Sequence, residues 1–240
     1  MSVLLQNLKI ELKSLADRKV AEHSQRYFKT GPGEYGEGDV FIGLRMPQIR
    51  SLAKKYSKLS FSDIENLLKS EIHEKRMLAV ILLVNAYKKA AEPDQKKIYQ
   101  MYFKNKKYIN NWDLIDVSCP HVMGGYLYKN DRSVLFKLAA SGNLWDKRLA
   151  VMSTFYFIRN GDFNDSFKIC EMLLDDEEDL IHKAAGWMLR EIGKRNPKEE
   201  EKFLDRHAEK MPRTMLRYAL ERFSESKRKK YMSVKRKIAE

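Results

Sequence analysis

Trp112 and Asp116 stand four residues apart in Trp112-Asp113-Leu114-Ile115-Asp116, a spacing that places an indole and a carboxylate on one face of a helix, one turn apart. Leu114, Ile115 and Val117 surround them, and Pro120 marks the end or a kink of that helix. Asp113 has an ordinary role, because it lies in the first turn after Asn110-Asn111 and meets the positive helix terminus. Asp116 lies too deep for that. A carboxylate in an apolar helix is costly unless it is paired or hydrogen-bonded, so Asp116 is either a structural ion pair to a neighbouring helix or an acid kept for chemistry. A second group lies further on, where Ile181, Ala184, Ala185, Met188, Leu189 and Ile192 form one apolar stripe. Trp187 projects from the opposite face beside Lys183, Arg190 and Lys194. Two readings compete there: packing against a neighbouring helix pair, or an aromatic floor flanked by cations that suit phosphate. Arg148 shares a helix side with Trp145, Met152, Phe155 and Arg159, and its planar donors suit either Asp116 or a nucleic-acid backbone.

The elements that must hold these residues are helical. Glycines are few, with four of the eleven in Thr30-Gly31-Pro32-Gly33-Glu34-Tyr35-Gly36-Glu37-Gly38-Asp39, no stretch alternates with period two, and short amphipathic segments are joined by clusters such as 60–63 and 90–94. An all-α fold follows. Laid under one another, Glu74-Lys75-Arg76-Met77-Leu78-Ala79-Val80, Asn111-Trp112-Asp113-Leu114-Ile115, Asp146-Lys147-Arg148-Leu149-Ala150-Val151 and His182-Lys183-Ala184-Ala185-Gly186-Trp187 repeat, positions 75, 111, 147 and 183 stepping by 36. Two short helices per unit of that length predict an α-solenoid of HEAT-like helical repeats with a concave basic groove. A globular bundle with coincidental spacing is the competing architecture. We expect one domain over 1–240, with N-terminal helices and the Gly-rich loop in 1–43, repeats over about 44–225 and a basic tail in 226–240.

Composition narrows the function classes. With 240 residues, 43% of them apolar, the chain can bury a sizeable core and is not disordered by default. The longest apolar run, Met77 to Val84, is far short of a bilayer span, and the first residues lack a signal-peptide pattern, so a soluble, cytoplasmic chain with no membrane partner is expected. Cys119 and Cys170 sit in apolar helical patterns without metal spacing and read as core thiols; no metal and no cofactor are expected. The net charge of +13 favours a polyanionic partner. Much of the excess lies in 206–240, where twelve Lys and Arg oppose four Glu, including Lys227-Arg228-Lys229-Lys230 and Lys235-Arg236-Lys237, either a solvated end or a set of phosphate contacts. The acidic run Asp175-Asp176-Glu177-Glu178-Asp179 precedes a helix expected to begin near Ile181 and suits its positive end. Gly31-Pro32-Gly33 is followed by no Gly-Lys-Ser/Thr, so it reads as a mobile surface loop rather than a phosphate loop.

Trp112, Asp116, Arg148 and Trp187, in this order on helical repeats, resemble the AlkD-type alkylpurine DNA glycosylases of the HEAT-like-repeat DNA alkylation repair family. The resemblance runs from Arg26-Tyr27-Phe28 to the basic C-terminal helices. Its matching stretches are 111–116, Asn143-Leu144-Trp145-Asp146-Lys147-Arg148 and Ile181-His182-Lys183-Ala184-Ala185-Gly186-Trp187-Met188-Leu189-Arg190-Glu191. It implies that Asp116 is the catalytic carboxylate, that Trp112 and Trp187 are aromatic walls for the lesion nucleotide's deoxyribose, and that Arg148 contacts the backbone beside them. Tyr27 then corresponds to an aromatic near the damaged base pair, and Lys147, Lys183, Arg190 and Lys194 join the DNA-binding set. The segment Gly31 to Gly38 departs from the best-known member of that family by lengthening the connection after the helix of Tyr27.

By that resemblance the partner is double-stranded DNA containing alkylated purines, bound by a monomer. A purine alkylated at N3 or N7 is cationic and already a good leaving group, so one carboxylate can stabilise the oxocarbenium-like sugar and position water. Two indoles add cation–π attraction, and no second carboxylate is needed, unlike ordinary glycoside hydrolysis. The family implies recognition without flipping into a base pocket. A non-catalytic binder of damaged or branched DNA, and a HEAT-repeat protein scaffold, are the alternatives.

Overall fold

The 36-residue step falls at or just inside the start of four helices, because positions 75, 111, 147 and 183 lie in or against His73–Lys89, Trp112–Cys119, Leu144–Arg159 and Asp179–Gly193. The structure, a computed structural model, describes residues 2–235, so Arg236 and Lys237 of the basic C-terminal stretch lie outside the described residues. Among those residues there is no strand, only one isolated bridge between Val40 and Ile72. The fold is all-α. It divides into two compact units, 1–122 and 123–240.

The first unit holds α1 (Val3–Ser14), α2 (Arg18–Tyr27), α3 (Met46–Lys55), α4 (Phe61–Leu68), α5 (His73–Lys89), α6 (Glu92–Lys104) and α7 (Trp112–Cys119). Its centre is α5, where every residue of the apolar run Met77 to Val84 is buried. A helix that is apolar all round must be covered on several sides, and α3, α4, α6 and α7 all pack on it. Local chemistry sets the ends: the Asp17 carboxylate accepts from the Lys19 and Val20 amides at the start of α2, Ser60 accepts from the Asp63 amide at the start of α4, and Asn111 accepts from the Trp112 amide at 2.8 Å. Pro120 opens a wide π-type turn over Pro120–Gly124, inside which the boundary of the two units falls.

The second unit holds α8 (Gly125–Leu127), α9 (Ser133–Ala139), α10 (Leu144–Arg159), α11 (Asn164–Met172), α12 (Asp179–Gly193), α13 (Pro197–His207), α14 (Arg213–Ala219) and α15 (Glu225–Ser233). Successive helices pack as neighbours, α9 on α10, α10 on α12 and α12 on α14, as stacked helix pairs require. All six stripe residues of α12 are buried. Its start is Asp179, two residues before the expected Ile181, so Asp179 belongs to the helix. No helix among the described residues is long and apolar enough to cross a membrane.

Candidate active site

In the first unit, Trp112 is the opening residue of α7 and Asp116 follows one turn later; both side chains are half-buried. The indole lies on an aromatic pile. Phe28, at the end of α2, stacks on Trp112 with centroids 5.3 Å apart, and Tyr27 meets Trp112 edge-on at 6.1 Å. Tyr27 is 58% exposed, so its ring is presented to solvent beside the indole. The structure therefore brings Tyr27, Trp112 and the turn bearing Asp116 together.

The Gly-rich segment lies against the end of α2. Its amides at Gly31 and Gly33 donate to the Glu34 and Glu37 carboxylates at 2.9 Å, and the Gly36 amide donates to the Lys29 carbonyl at 3.0 Å. A Cβ at Gly36 would overlap the Phe28 carbonyl, so this close seating requires glycine.

Beneath the aromatic pile lies a polar network that the sequence reading missed. His73, at the start of α5, is 3% exposed and meets a carboxylate through each ring nitrogen: Nδ1 is 3.0 Å from Asp39 and Nε2 is 2.8 Å from Asp113. Asp39 also accepts from Arg76 and, at 3.1 Å, from the Asn111 amide, while Arg76 donates to Asn110. Burial works against a charge on His73, but Asp113 and Asp39 outweigh it and raise the imidazole to about 8. Asp39 is likewise opposed by burial, and His73 and Arg76 hold its carboxyl below the usual range. Asp113 does take the helix-terminal role expected of it, accepting from the Leu114 amide at 2.8 Å, but its second oxygen serves His73. The sequence signal was slight: a His and an Arg three residues apart opening an apolar helix, with an Asp closing a glycine run.

In the second unit, Trp187 lies on the half-buried side of α12, tilted against Phe155 with centroids 5.8 Å apart. Its indole N–H donates to Glu191 at 3.3 Å. Glu191, also missed in the sequence, accepts from Lys194 and Arg195 as well; burial opposes its charge, yet Lys194, Arg195 and Trp187 hold its carboxyl below the usual range.

The cations expected around Trp187 each have an acid partner. Lys183 pairs with Asp179 at 2.6 Å, Lys194 with Glu191, and Arg190 with Glu221. Lys147 pairs with Asp176 at 2.5 Å. The acidic run thus serves two of the cations as well as the start of α12. Arg148 is 5% exposed and donates to the Leu180 carbonyl at 2.7 Å, which fixes α10 against the start of α12.

A family model described as DNA alkylation repair enzyme matches residues 8–223. No functionally curated protein matches the sequence. Among solved structures, a protein described as a predicted DNA alkylation repair enzyme from Enterococcus faecalis is similar at 18% identity with a TM-score of 0.68, over 88% of this chain and 97% of that one. A protein of Streptococcus mutans UA159, smu.31, is similar at 18% identity with a TM-score of 0.50, over 96% of this chain and 98% of that one. At these identities the two structures support the helical fold.

Proposed function

The chain belongs to the family of DNA alkylation repair enzymes, and from that premise we propose that it is a monofunctional glycosylase, hydrolysing the N-glycosidic bond of cationic N3- or N7-alkylated purines in duplex DNA. The observation that carries this is the pairing on α7 of a half-buried indole with a carboxylate one turn further on, beside the exposed ring of Tyr27.

The chemistry asks little more of the protein. Alkylation has already made the base a good leaving group, so no protein acid is needed to expel it. As the bond lengthens the sugar becomes cationic, and Asp116 stabilises that charge and orients the attacking water. The face of Trp112 adds cation–π attraction, about 0.5–2 kcal/mol when desolvated. Lys147, Lys183, Arg190 and Lys194 exchange their carboxylate partners for backbone phosphates, while Arg148, buried on the Leu180 carbonyl, fixes α10 against the start of α12. Selectivity comes from the lability of the cationic lesion, so bulky cationic adducts are substrates and neutral lesions are poor ones.

The test is to incubate the protein with methylated duplex DNA and identify freed bases by chromatography. Wild type releases methylpurine, and Asp116→Asn loses at least about 100-fold of that rate while its duplex affinity, measured across a salt series, is retained. Equal release by Asp116→Asn, or efficient excision of uracil by wild type, refutes the proposal. Salt-sensitive duplex binding with no base release leaves the non-catalytic binder in its place.

A further inference from the structure

An imidazole with a carboxylate on each nitrogen can satisfy both only as imidazolium, because the neutral ring has one N–H and turns a lone pair toward the second carboxylate. His73 is in that position, between Asp39 in the segment that follows the glycines and Asp113 in the first turn of α7. The two ends of this bridge are unequally secured. Asp39 is also held by Arg76 and by Asn111. Asp113 has, besides His73, the Leu114 amide of its own helix.

The same ring belongs to the pile that supports Trp112. Phe41 stacks on His73 with centroids 4.5 Å apart, Phe28 lies 5.2 Å from it, and Phe28 in turn stacks on Trp112. A cationic ring between aromatic faces gains attraction that the neutral ring lacks. Both the hydrogen bonds and the stacking therefore connect the protonation of His73 to the start of α7.

We propose that His73 is a positioning residue for the Trp112–Asp116 helix: its imidazolium ties Asp113 in the first turn of α7 to Asp39, and loss of the ring proton frees that turn and shifts the indole above it. The charged groups facing His73 are Asp39 from the preceding segment, Arg76 from α5 and Asp113 from α7, with Asn111 and the rings of Phe28 and Phe41 completing its surroundings. Glu74, next on α5, is engaged instead by the Ile42, Gly43 and Leu44 amides. The bond to Asp113 is the one that yields on deprotonation, since Asp39 keeps Arg76 and Asn111. For the repair reaction this predicts that the base-release step, rather than duplex binding, weakens as pH rises through about 8. That consequence rests on the glycosylase assignment above; the tie itself does not.

The experiment follows the His73 ring resonances by NMR and the emission of Trp112 from pH 6.5 to 9.5, the latter in a Trp145→Phe/Trp187→Phe background so that one indole reports. Both signals are expected to move with one midpoint near 8. In Asp113→Asn the side-chain amide can donate to a neutral ring nitrogen, so the Trp112 step is expected to vanish. Single-turnover base release by wild type should fall with the same midpoint while KM for duplex holds steady, and the Asp113→Asn profile, whatever its height, should be flat. Trp112 emission that stays constant while His73 titrates, or an Asp113→Asn step equal to that of wild type, overturns the proposal. Should Asp113→Asn not fold, the titration without any substitution at 113 decides. If no form releases a base but the two spectroscopic midpoints coincide, the glycosylase assignment fails and the tie of His73 to α7 stands.

Discussion

Gly186→Ala sets two well-calibrated effects against each other with opposite signs. Gly186 lies inside α12, next to Trp187, where alanine should favour the helix by about 1 kcal/mol. Packing opposes it. A Cβ at this position would overlap the Met215 carbonyl of α14 and lie 2.6 Å from the Tyr218 Cβ, so backbone rather than a flexible side-chain end would have to give way. Restoring ordinary contact requires α14 to withdraw by about 1 Å from a close-packed interface, an overpacking that typically costs about 1–3 kcal/mol. Packing wins by up to about 2 kcal/mol, which lowers Tm by up to about 8 °C in a chain of this size. Thermal unfolding of wild type, Gly186→Ala and a control, Gly142→Ala, tests the balance. Nothing lies within 4 Å of a Cβ at Gly142, so its substitution should be neutral or slightly stabilising. A Gly186→Ala protein with unchanged or raised Tm would mean that helix propensity decides and that α12 and α14 are not held in close backbone approach.

Two further outcomes follow from buried groups. Glu200 is 3% exposed, its Oε1 lacks a hydrogen-bond partner, and burial, aided by Glu201 and resisted by Arg190, pushes its carboxyl up to about 8. A raised carboxyl contributes stability below its unfolded value and loses it as pH climbs through the folded one, so Glu200→Gln should be about 3 kcal/mol more stable than wild type at pH 7 and no different near pH 4. Parallel stability curves from pH 4 to 8 would contradict this. Cys119 and Cys170 are both buried, and burial pushes the Cys170 thiol up to about 12, so a thiol reagent at pH 8 should label neither in the folded protein and both after denaturation; rapid native labelling would place one at the surface.

Periodic features were legible in the sequence and paired features were not. The α12 stripe, the helix around Met77 to Val84 and the 36-residue step each arise from a local rule repeated along the chain, and each is where the spacing placed it. The Asp39–His73–Asp113 bridge joins residues 34 and 40 positions apart, and of its members only Asp113 carries a role in the local pattern, that of a helix-terminal aspartate. Asp113 shows the difficulty clearly, because one oxygen does what the local pattern implies while the other makes the long-range bond. Glu191 was hidden in the same way, a single acid in a helix read for its tryptophan and its cations. From its side-chain chemistry Arg148 suits either Asp116 or a nucleic-acid backbone, whereas in the fold the carbonyl of Leu180 accepts its hydrogen bond and its surface is buried.

The ion pairs change what a net charge of +13 means for binding. Asp176, Asp179, Glu191 and Glu221 each hold one of the cations Lys147, Lys183, Lys194 and Arg190. Of these pairs only Lys183–Asp179 is exposed on both sides, the kind worth about 0–1 kcal/mol, so there a phosphate can displace a carboxylate at small cost, whereas Lys147 and Asp176 are largely buried. The displaced acid then stays beside the duplex and reduces the gain. Each exchange therefore yields less than the release of one counterion by an unpaired lysine, and electrostatics alone holds undamaged DNA less firmly than the count of cations implies. For a member of a DNA alkylation repair family this is a useful balance, because the bulk of the DNA it meets carries no lesion. On the glycosylase proposal, short-range contacts of Trp112 and Asp116 with a cationic nucleotide add to binding only where the damage lies.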